Sequence, residues 1–221
     1  MMHDTELQKM WVLQNPLNFT RYFFKENGGK RFIVGHHHKR VCDALDKVLK
    51  GECNKLIINI APRYGKTELA VKNFIAMGLA INPASNFIHL SYSSDNSIAI
   101  KDIVNSEAYQ AMFETRVKYG SDTKAQWDTE QGGGVYATST LGQITGFGAG
   151  EVDRVDEHGN PLPYRFAGAI IIDDPIKPED ALSDVVRERV NRRFETTIRN
   201  RVNSRNTPII IIMQRLHEHD L

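Results

Sequence analysis

Four runs of apolar and β-branched residues divide the chain, and each has the length of a β-strand. They are the segments 56–60, 87–90, 169–172 and 209–213. Their apolar residues are continuous rather than alternating with polar ones, which is typical of strands buried on both faces of a parallel sheet. The pattern therefore predicts a parallel sheet that is covered on both sides.

The segments between these strands have the periodicity of helices. Apolar residues recur at three- and four-residue spacing from residue 37 to residue 50, and a second helix is predicted for 67–80. Ser94 is placed to cap a third helix, and Ser183 to cap a fourth that is rich in arginine. The alternation of strands and helices predicts an α/β fold with right-handed crossovers.

Three other regions complete the predicted organisation. Residues 1–35 are rich in aromatic residues and are predicted to form an N-terminal helical appendage, so that 36–221 is the core domain. Within the core, a hairpin is predicted for 125–140 around three consecutive glycines, and 153–164 is predicted to be a polar surface excursion. No second domain is predicted.

The composition is that of one intracellular globular domain. A chain of 221 residues with 41% hydrophobic residues can bury a core, which excludes a mainly disordered chain. No apolar run reaches the about 18 residues needed to cross a membrane, and the first residues lack the pattern of a secretory signal. Only Cys42 and Cys53 are present, so neither a disulfide framework nor a cysteine-ligated zinc site is expected.

The charge of the chain is nearly balanced but unevenly distributed. Its net value is +1, so the average charge gives no argument for a nucleic-acid partner. Seven arginines are nevertheless concentrated between residues 187 and 205, with only two acidic residues among them. Such a segment is either a solvated helix face or a surface that faces an anion, and both interpretations stay open.

The first strand leads directly into a turn after which a helix begins. The predicted ATP-binding residues in this turn are Pro62, Arg63, Tyr64, Gly65, Lys66, Thr67 and Glu68. A strand, a turn and a helix are the context of a Walker A motif, whose backbone N–H groups hold phosphate oxygens. Lys66 is expected to reach the β- and γ-phosphates, and Thr67 to bind Mg²⁺. Ile60 stands where the motif normally has its first glycine, so a chance tripeptide opening an ordinary helix is the alternative.

Two carboxylates follow the strand 169–172. Asp173 is predicted to be the Walker B residue that helps to hold Mg²⁺ near the Walker A turn. Asp174 stands where many such ATPases have a glutamate that orients the attacking water, and Glu179 is an alternative or shares this role. Two acids that simply end a buried strand are the interpretation without function.

The order of the strands favours one class of ATPase. The strand 87–90 lies along the chain between the Lys66 and Asp173 motifs, which suits motor-type ATPases with an extra strand between the Walker A and Walker B strands. The last strand, 209–213, ends at Gln214, which is placed to sense the γ-phosphate. No acceptor-binding lid is evident, so a small-molecule kinase is the least expected enzyme.

These motifs together resemble the large terminase subunit of tailed bacteriophages, in its N-terminal ATPase domain. The resemblance covers nearly the whole chain and rests on the segments 37–45, 59–68, 145–150, 170–175 and 214–221. Members of this family commonly lack the first Walker A glycine and have an arginine at the position of Arg63. The resemblance implies a P-loop NTPase core with a mainly parallel sheet flanked by helices.

The same resemblance implies a motor that uses ATP and Mg²⁺ to thread double-stranded DNA into a capsid. The implied partners are DNA, the portal protein, the small terminase subunit and further copies of the chain, which form a ring when assembled and are expected to be monomeric in isolation. The expected location is the host cell cytoplasm, away from membranes. Full-length members add a C-terminal nuclease domain for which 221 residues leave no room, so a truncated or split gene product is expected.

The catalytic arginine is left open by the resemblance. Some relatives have an arginine in the glycine-rich loop before Walker B, where this chain has Phe147. Arg154, Arg165 or Arg192 could therefore act in trans on a neighbouring subunit, or Arg63 could act in cis.

Two other function classes are compatible with the motifs. One is a nucleic-acid helicase or remodelling ATPase, and the other is a nucleotide-gated assembly scaffold with little turnover. The three histidines at 36–38 could bind adenine, pack structurally or do neither, and packing is the preferred interpretation.

Overall fold

A seven-stranded sheet forms the centre of the computed structural model. The strands are β1 (Lys55–Asn59), β2 (Asn86–Ser91), β3 (Val117–Asp122), β4 (Gln126–Thr129), β5 (Gly134–Ser139), β6 (Ile170–Asp173) and β7 (Ile209–Met213). Their order across the sheet is β1-β7-β6-β2-β5-β4-β3. The four strands predicted from apolar runs are therefore β1, β7, β6 and β2, which lie side by side.

The sheet is mainly parallel, as predicted. β1, β7, β6, β2 and β5 pair in parallel, whereas β4 pairs antiparallel with both β5 and β3. The predicted hairpin around the three glycines is confirmed as β4 and β5. An extra strand does lie between β1, which precedes the predicted Walker A turn, and β6, which ends at the predicted Walker B residue, but this strand is β7. β2, the strand predicted from the sequence to lie along the chain between the two motifs, is on the far side of β6.

Helices pack on both faces of the sheet. They are α1 (Met2–Leu13), α2 (Pro16–Gly28), α3 (His36–Leu49), α4 (Phe74–Ile81), α5 (Asn96–Asn105), α6 (Glu107–Met112) and α7 (Asp184–Arg193). A π-helical segment, Glu68–Asn73, continues directly into α4 and completes the helix predicted after the Walker A turn. Ser183 is the N-cap residue of α7, as predicted, but its side chain makes no capping hydrogen bond.

The described residues are 2–91, 96–144 and 146–221, without the side chains of Met2, His3 and Asp122. Ser94, the predicted cap of α5, lies outside them, as does Thr145 of the glycine-rich motif. In these ranges, no helix is long and apolar enough to cross a lipid bilayer.

Two hydrophobic cores cover the two faces of the sheet. Ile171 of β6 points into the larger core, which also contains Phe19 and Phe23 of α2. Ile170 and Ile172 point into the smaller core on the other face. β6 is thus buried on both sides, which explains why its apolar residues are continuous. The N-terminal segment is helical as predicted, and the boundary at residue 35 stays a prediction.

Candidate active site

The predicted Walker A turn, residues 62–68 and called the Walker A turn below, follows the carboxyl end of β1. The N–H of Ile60 still bonds to the carbonyl of Met213 in β7 (3.1 Å), and the helical part begins at Lys66. The carbonyl of Gly65 accepts the N–H of Leu69 (2.9 Å) as one of the first helical bonds. Because the N–H groups in the first turn of a helix have no partner within it, this turn favours an anion.

Two residues of the turn have a left-handed backbone. The φ angles of Arg63 and Gly65 are 65° and 75°. Glycine adopts such angles freely, whereas a residue with a side chain is strained there. Arg63 is also exposed, so its conformation is imposed by the tight turn rather than by burial of its side chain. Strained backbone of this kind is concentrated at functional sites.

The lysine of the turn is held by the second acid after β6. Lys66 is 7% exposed, and its Nζ forms an ion pair with Oδ1 of Asp174. Asp174 also has a left-handed backbone, with φ 46°, and its N–H bonds to the carbonyl of Ile212 in β7 (2.8 Å). The N–H of Gln214 approaches the same Oδ1 at 3.3 Å. β7 therefore positions Asp174 opposite the lysine.

The first acid after β6 contacts the threonine of the turn. The hydroxyl of Thr67 donates to Oδ2 of Asp173 (2.8 Å), while Oδ1 of Asp173 is buried and has no hydrogen-bond partner. Burial raises the pKa of Asp173 to about 6, and the charge of Asp174 adds to this rise, whereas the Thr67 hydrogen bond and Lys66 lower it. Burial dominates because the carboxylate loses its hydration and gains only one hydrogen bond.

The oxygens of Thr67 and Asp173 fit a Mg²⁺ site. A buried carboxylate oxygen without a partner is costly unless a cation or a proton satisfies it. Mg²⁺ prefers oxygen ligands and usually keeps several waters, so it needs only one or two protein groups. In the described part of the chain, no group of three or more His, Cys, Asp or Glu residues could hold a metal ion.

Three other predicted site residues have different environments. Gln214 follows β7 beside Asp174, so the predicted γ-phosphate sensor is next to the acid, and its role stays a prediction. Glu179 is exposed on the 3₁₀ turn Pro178–Asp180. Glu68 bonds to Lys72 (3.2 Å) and Asn73 (2.8 Å) within its own helix, which occupies its carboxylate.

Arg154 and Arg165 lie at the amino-terminal ends of the parallel strands, whereas the Walker A turn lies at their carboxyl-terminal ends. Both bond to Glu151. The N–H of the preceding Gly150 bonds to the carbonyl of Asn86, the first residue of β2 (3.0 Å). Since the central strands are parallel, this edge is roughly 15–20 Å from the Walker A edge at about 3.3 Å per residue. Neither arginine is therefore placed to reach the Lys66 site of its own subunit.

The arginines of the arginine-rich helix differ in burial and in hydrogen bonding, so they do not form one uniform surface. Arg187 is buried and bonds to the carbonyl of Ala181 and to Asp184. Arg193 donates to the carbonyl of Thr140 (2.8 Å), just after the carboxyl end of β5. Arg192 beside it is exposed. The end of α7 thus lies on the same edge of the sheet as the Walker A turn.

The glycine-rich loop before Walker B is fixed by packing. Phe147 stacks on Tyr136 with 5.4 Å between ring centroids. A Cβ on Gly148 would come within 2.2 Å of Oδ1 of Asn203, so only glycine fits without a shift. Ala149 pairs with Val202 in a β-bridge. Phe147 therefore makes an apolar contact in this loop.

One contact of the Walker A turn was not predicted from the sequence. His38 of α3 is buried, and its Nε2 lies 3.1 Å from the carbonyl of Tyr64, while the ring of His37 lies against the Tyr64 ring at 5.2 Å. The three consecutive histidines were the available signal. His38 and Tyr64 are 26 residues apart along the chain, so the sequence alone gives no indication that they are in contact.

Comparison with known proteins identifies the fold. No family profile matches the chain, and no curated protein matches it. Among solved structures, the chain is similar to the large terminase of bacteriophage HK97, with a TM-score of 0.54 and 14% sequence identity. The similarity covers 91% of this chain and 38% of the terminase chain, so this chain spans well under half of that protein's length. The predicted fold class is confirmed, and the structural similarity is to a protein of the kind that the sequence resembles.

Proposed function

We propose that this chain is the ATP-hydrolysing motor domain of a phage DNA-packaging terminase. The observation that carries the proposal is that the two motifs, distant along the chain, are in contact. Thr67 contacts Asp173, which is 106 residues away, and Lys66 contacts Asp174, which is 108 residues away. A chance Gly-Lys-Thr sequence gives no reason for these contacts. The fold of the HK97 large terminase supports the same conclusion.

The residues of the site have separable roles in this proposal. The N–H groups at the start of the helix and the Lys66 ammonium bind the phosphates of ATP. To do so, Lys66 must exchange its partner, because in the structure it is paired with Asp174. That exchange releases the Asp174 carboxylate, which can then accept a hydrogen bond from the attacking water and orient it.

Thr67 and Asp173 would hold Mg²⁺ through the hydroxyl and the unpartnered carboxylate oxygen. When bound, Mg²⁺ neutralises the negative charge that develops on the β- and γ-phosphate oxygens. Asp173 must be ionised for this role. Its raised pKa, about 6, still leaves most of the carboxylate ionised at neutral pH.

Asp174 and Glu179 are distinguished by one pair of substitutions. We expect Asp174→Asn to bind MgATP and to lose at least about 100-fold in turnover, because an amide orients a water less well than a carboxylate does. Glu179→Gln should keep turnover near the original value, since Glu179 is exposed on its turn. Calorimetric titration beside phosphate release measures the two effects. Normal hydrolysis by Asp174→Asn, with loss in Glu179→Gln, would reverse the assignment.

The catalytic arginine is expected to come from a neighbouring subunit. An arginine at the γ-phosphate can accelerate phosphoryl transfer by roughly 10³–10⁵, so an isolated subunit should be a slow ATPase. We expect turnover per subunit to rise with protein concentration. Alanine variants of Arg154, Arg165 and Arg192 are each mixed with Lys66→Ala protein, which is inactive but retains its arginines. Only the variant that lacks the trans-acting arginine should regain activity.

One outcome would contradict the inter-subunit arginine. High turnover that is independent of concentration and is lost only in Arg63→Ala would show that the arginine acts in cis. The exposure of Arg63 in the turn leaves its side chain free of the core, so this variant should fold.

The wider role follows from the terminase proposal. The motor would act in the host cell cytoplasm on double-stranded DNA, as a ring docked on the portal, with the small terminase subunit as a further partner. Duplex DNA and portal should therefore increase phosphate release. Strand separation by the isolated protein would instead indicate a helicase, and tight ATP binding with almost no phosphate release would indicate an assembly scaffold.

A further inference from the structure

His38 links the start of α3 to the Walker A turn. Its Nδ1 accepts the N–H of Gly35 (2.8 Å), the residue that precedes the helix. Since Nδ1 is an acceptor, the neutral ring carries its proton on Nε2, which donates to the carbonyl of Tyr64 (3.1 Å). Burial, and after it His37, lowers the pKa of His38, whereas backbone hydrogen bonds to Tyr64 and Ile33 act in the opposite direction. The net shift is downward, which favours the neutral ring.

Neighbouring side chains enclose the His38 ring in one orientation. Phe32 lies 4.9 Å from it and His37 lies 3.9 Å from it, both measured between ring centroids. A Cβ on Gly65 would stand 3.1 Å from Nε2 of His38, which is a tight contact, so the backbone of the turn passes close to the ring. The His38 ring is therefore held in one place beside the peptide bond between Tyr64 and Gly65.

The orientation of that peptide determines where an N–H group points. A trans peptide is planar, and its C=O and N–H point in opposite directions. The carbonyl of Tyr64 is directed at His38, so the N–H of Gly65 is directed to the other side of the turn. This N–H belongs to the set that favours an anion at the start of the helix.

We propose that His38 is a positioning residue for the phosphate-binding turn, because its Nε2–H holds the Tyr64–Gly65 peptide in the orientation that presents the Gly65 N–H to phosphate. This inference rests on the proposed function for the identity of the anion. The orientation of the peptide itself does not depend on that function. The proposed role of His38 does not involve the adenine base, because His38 acts through the backbone of Gly65.

Two substitutions separate the two hydrogen bonds of the ring. The side-chain oxygen of Asn can replace Nδ1 and keep the bond from Gly35, but Asn is too short to reach Tyr64. The amide nitrogen of Gln can replace Nε2 and keep the bond to Tyr64, but Gln has no acceptor at the Nδ1 position. Substitutions at His36, which is exposed at the first position of the same helix, are the matched controls.

The experiment measures the dissociation constant of MgATP by calorimetry and the thermal midpoint without nucleotide. We expect His38→Asn to raise the dissociation constant about tenfold, because it loses the bond to Tyr64 and one hydrogen bond contributes about 0.5–1.5 kcal/mol. Its thermal midpoint should fall as well, because Asn does not fill the space of the buried ring. His38→Gln should bind MgATP within about threefold of the original protein and unfold at a lower temperature. His36→Asn and His36→Gln should change neither quantity.

A second readout keeps the inference independent of ATP binding. Both substitutions remove the ring current of His38, so the backbone amide signal of Gly65, observed by NMR in nucleotide-free protein labelled with ¹⁵N-glycine, should shift in both variants. The shift should be clearly larger in His38→Asn, which also loses the hydrogen bond to the carbonyl of Tyr64. If the original protein fails to bind ATP, the proposed function fails while this shift still tests the peptide orientation. Gly65 shifts of equal size in the two variants, or equal losses of MgATP affinity in both, would overturn the positioning role.

Discussion

Lys66→Ala is expected to lower ATP turnover by at least about 10²–10³-fold while the fold is retained, as is typical for loss of an electrostatic contact in a transition state. The ammonium of Lys66 is directed at Asp174 rather than into either hydrophobic core, so its removal leaves the packing of the cores intact. The released Asp174 side chain is 29% exposed and can be hydrated. Phosphate release at saturating MgATP and far-UV circular dichroism measure the two effects.

Lys50→Ala is the matched control for this prediction. Lys50 also forms an ion pair with an aspartate, Asp46, but at the exposed end of α3. Such surface pairs contribute little, and we expect unchanged turnover. A folded Lys66→Ala protein with the original turnover would contradict the assignment of the phosphate-binding turn.

Asp173→Asn is expected to abolish the effect of Mg²⁺ on ATP affinity and, at the same time, to stabilise the nucleotide-free protein. Asn keeps an oxygen that can accept the Thr67 hydroxyl, but it provides no negative charge for the metal. ATP titrations with Mg²⁺ and with a chelator should differ strongly for the original protein and only slightly for the variant. Retention of the Mg²⁺ effect would show that another group holds the metal.

The stability gain has a defined pH dependence. The pKa of Asp173 is raised by burial from 3.8 to about 6 in the folded state, so its contribution to stability is fully present below pH 3.8 and is lost as the pH rises to about 6. Each unit corresponds to about 1.4 kcal/mol, so the variant should exceed the original protein by about 2–3 kcal/mol above pH 6, and by little near pH 4. Urea unfolding at several pH values measures this difference. Asp43→Asn, on the exposed face of α3, should show no such trend.

Much of the fold could be predicted because its central strands have a local signature. The runs that became β1, β7, β6 and β2 are apolar without interruption, since both faces of these strands are buried. β3 has no such run, because it is an edge strand that pairs, within the described ranges, with β4 alone. The position of β7 between the two motif strands depends on crossovers between distant segments, which periodicity does not encode.

The candidate site shows the same division between local and distant information. Turn chemistry indicated that Lys66 and Thr67 face phosphate, and the strand ends indicated that Asp173 and Asp174 lie near them. The pairing of each acid with its own partner could not be derived, because it depends on the backbone of Asp174, whose left-handed φ is unusual for a residue with a side chain. The distance of Arg165 from this edge likewise required the sheet order.

The place of β7 in the sheet also has a mechanical consequence. β7 is hydrogen-bonded along its length to β1 on one side and to β6 on the other. A pull on the chain beyond Gln214, directed along the strand, would have to shear both ladders at once, because their bonds lie across the direction of the force. A pull on the edge strand β1 perpendicular to its axis would instead peel one ladder bond by bond. A force applied along the segment after β7 would therefore be resisted more strongly than one that peels β1 from the sheet.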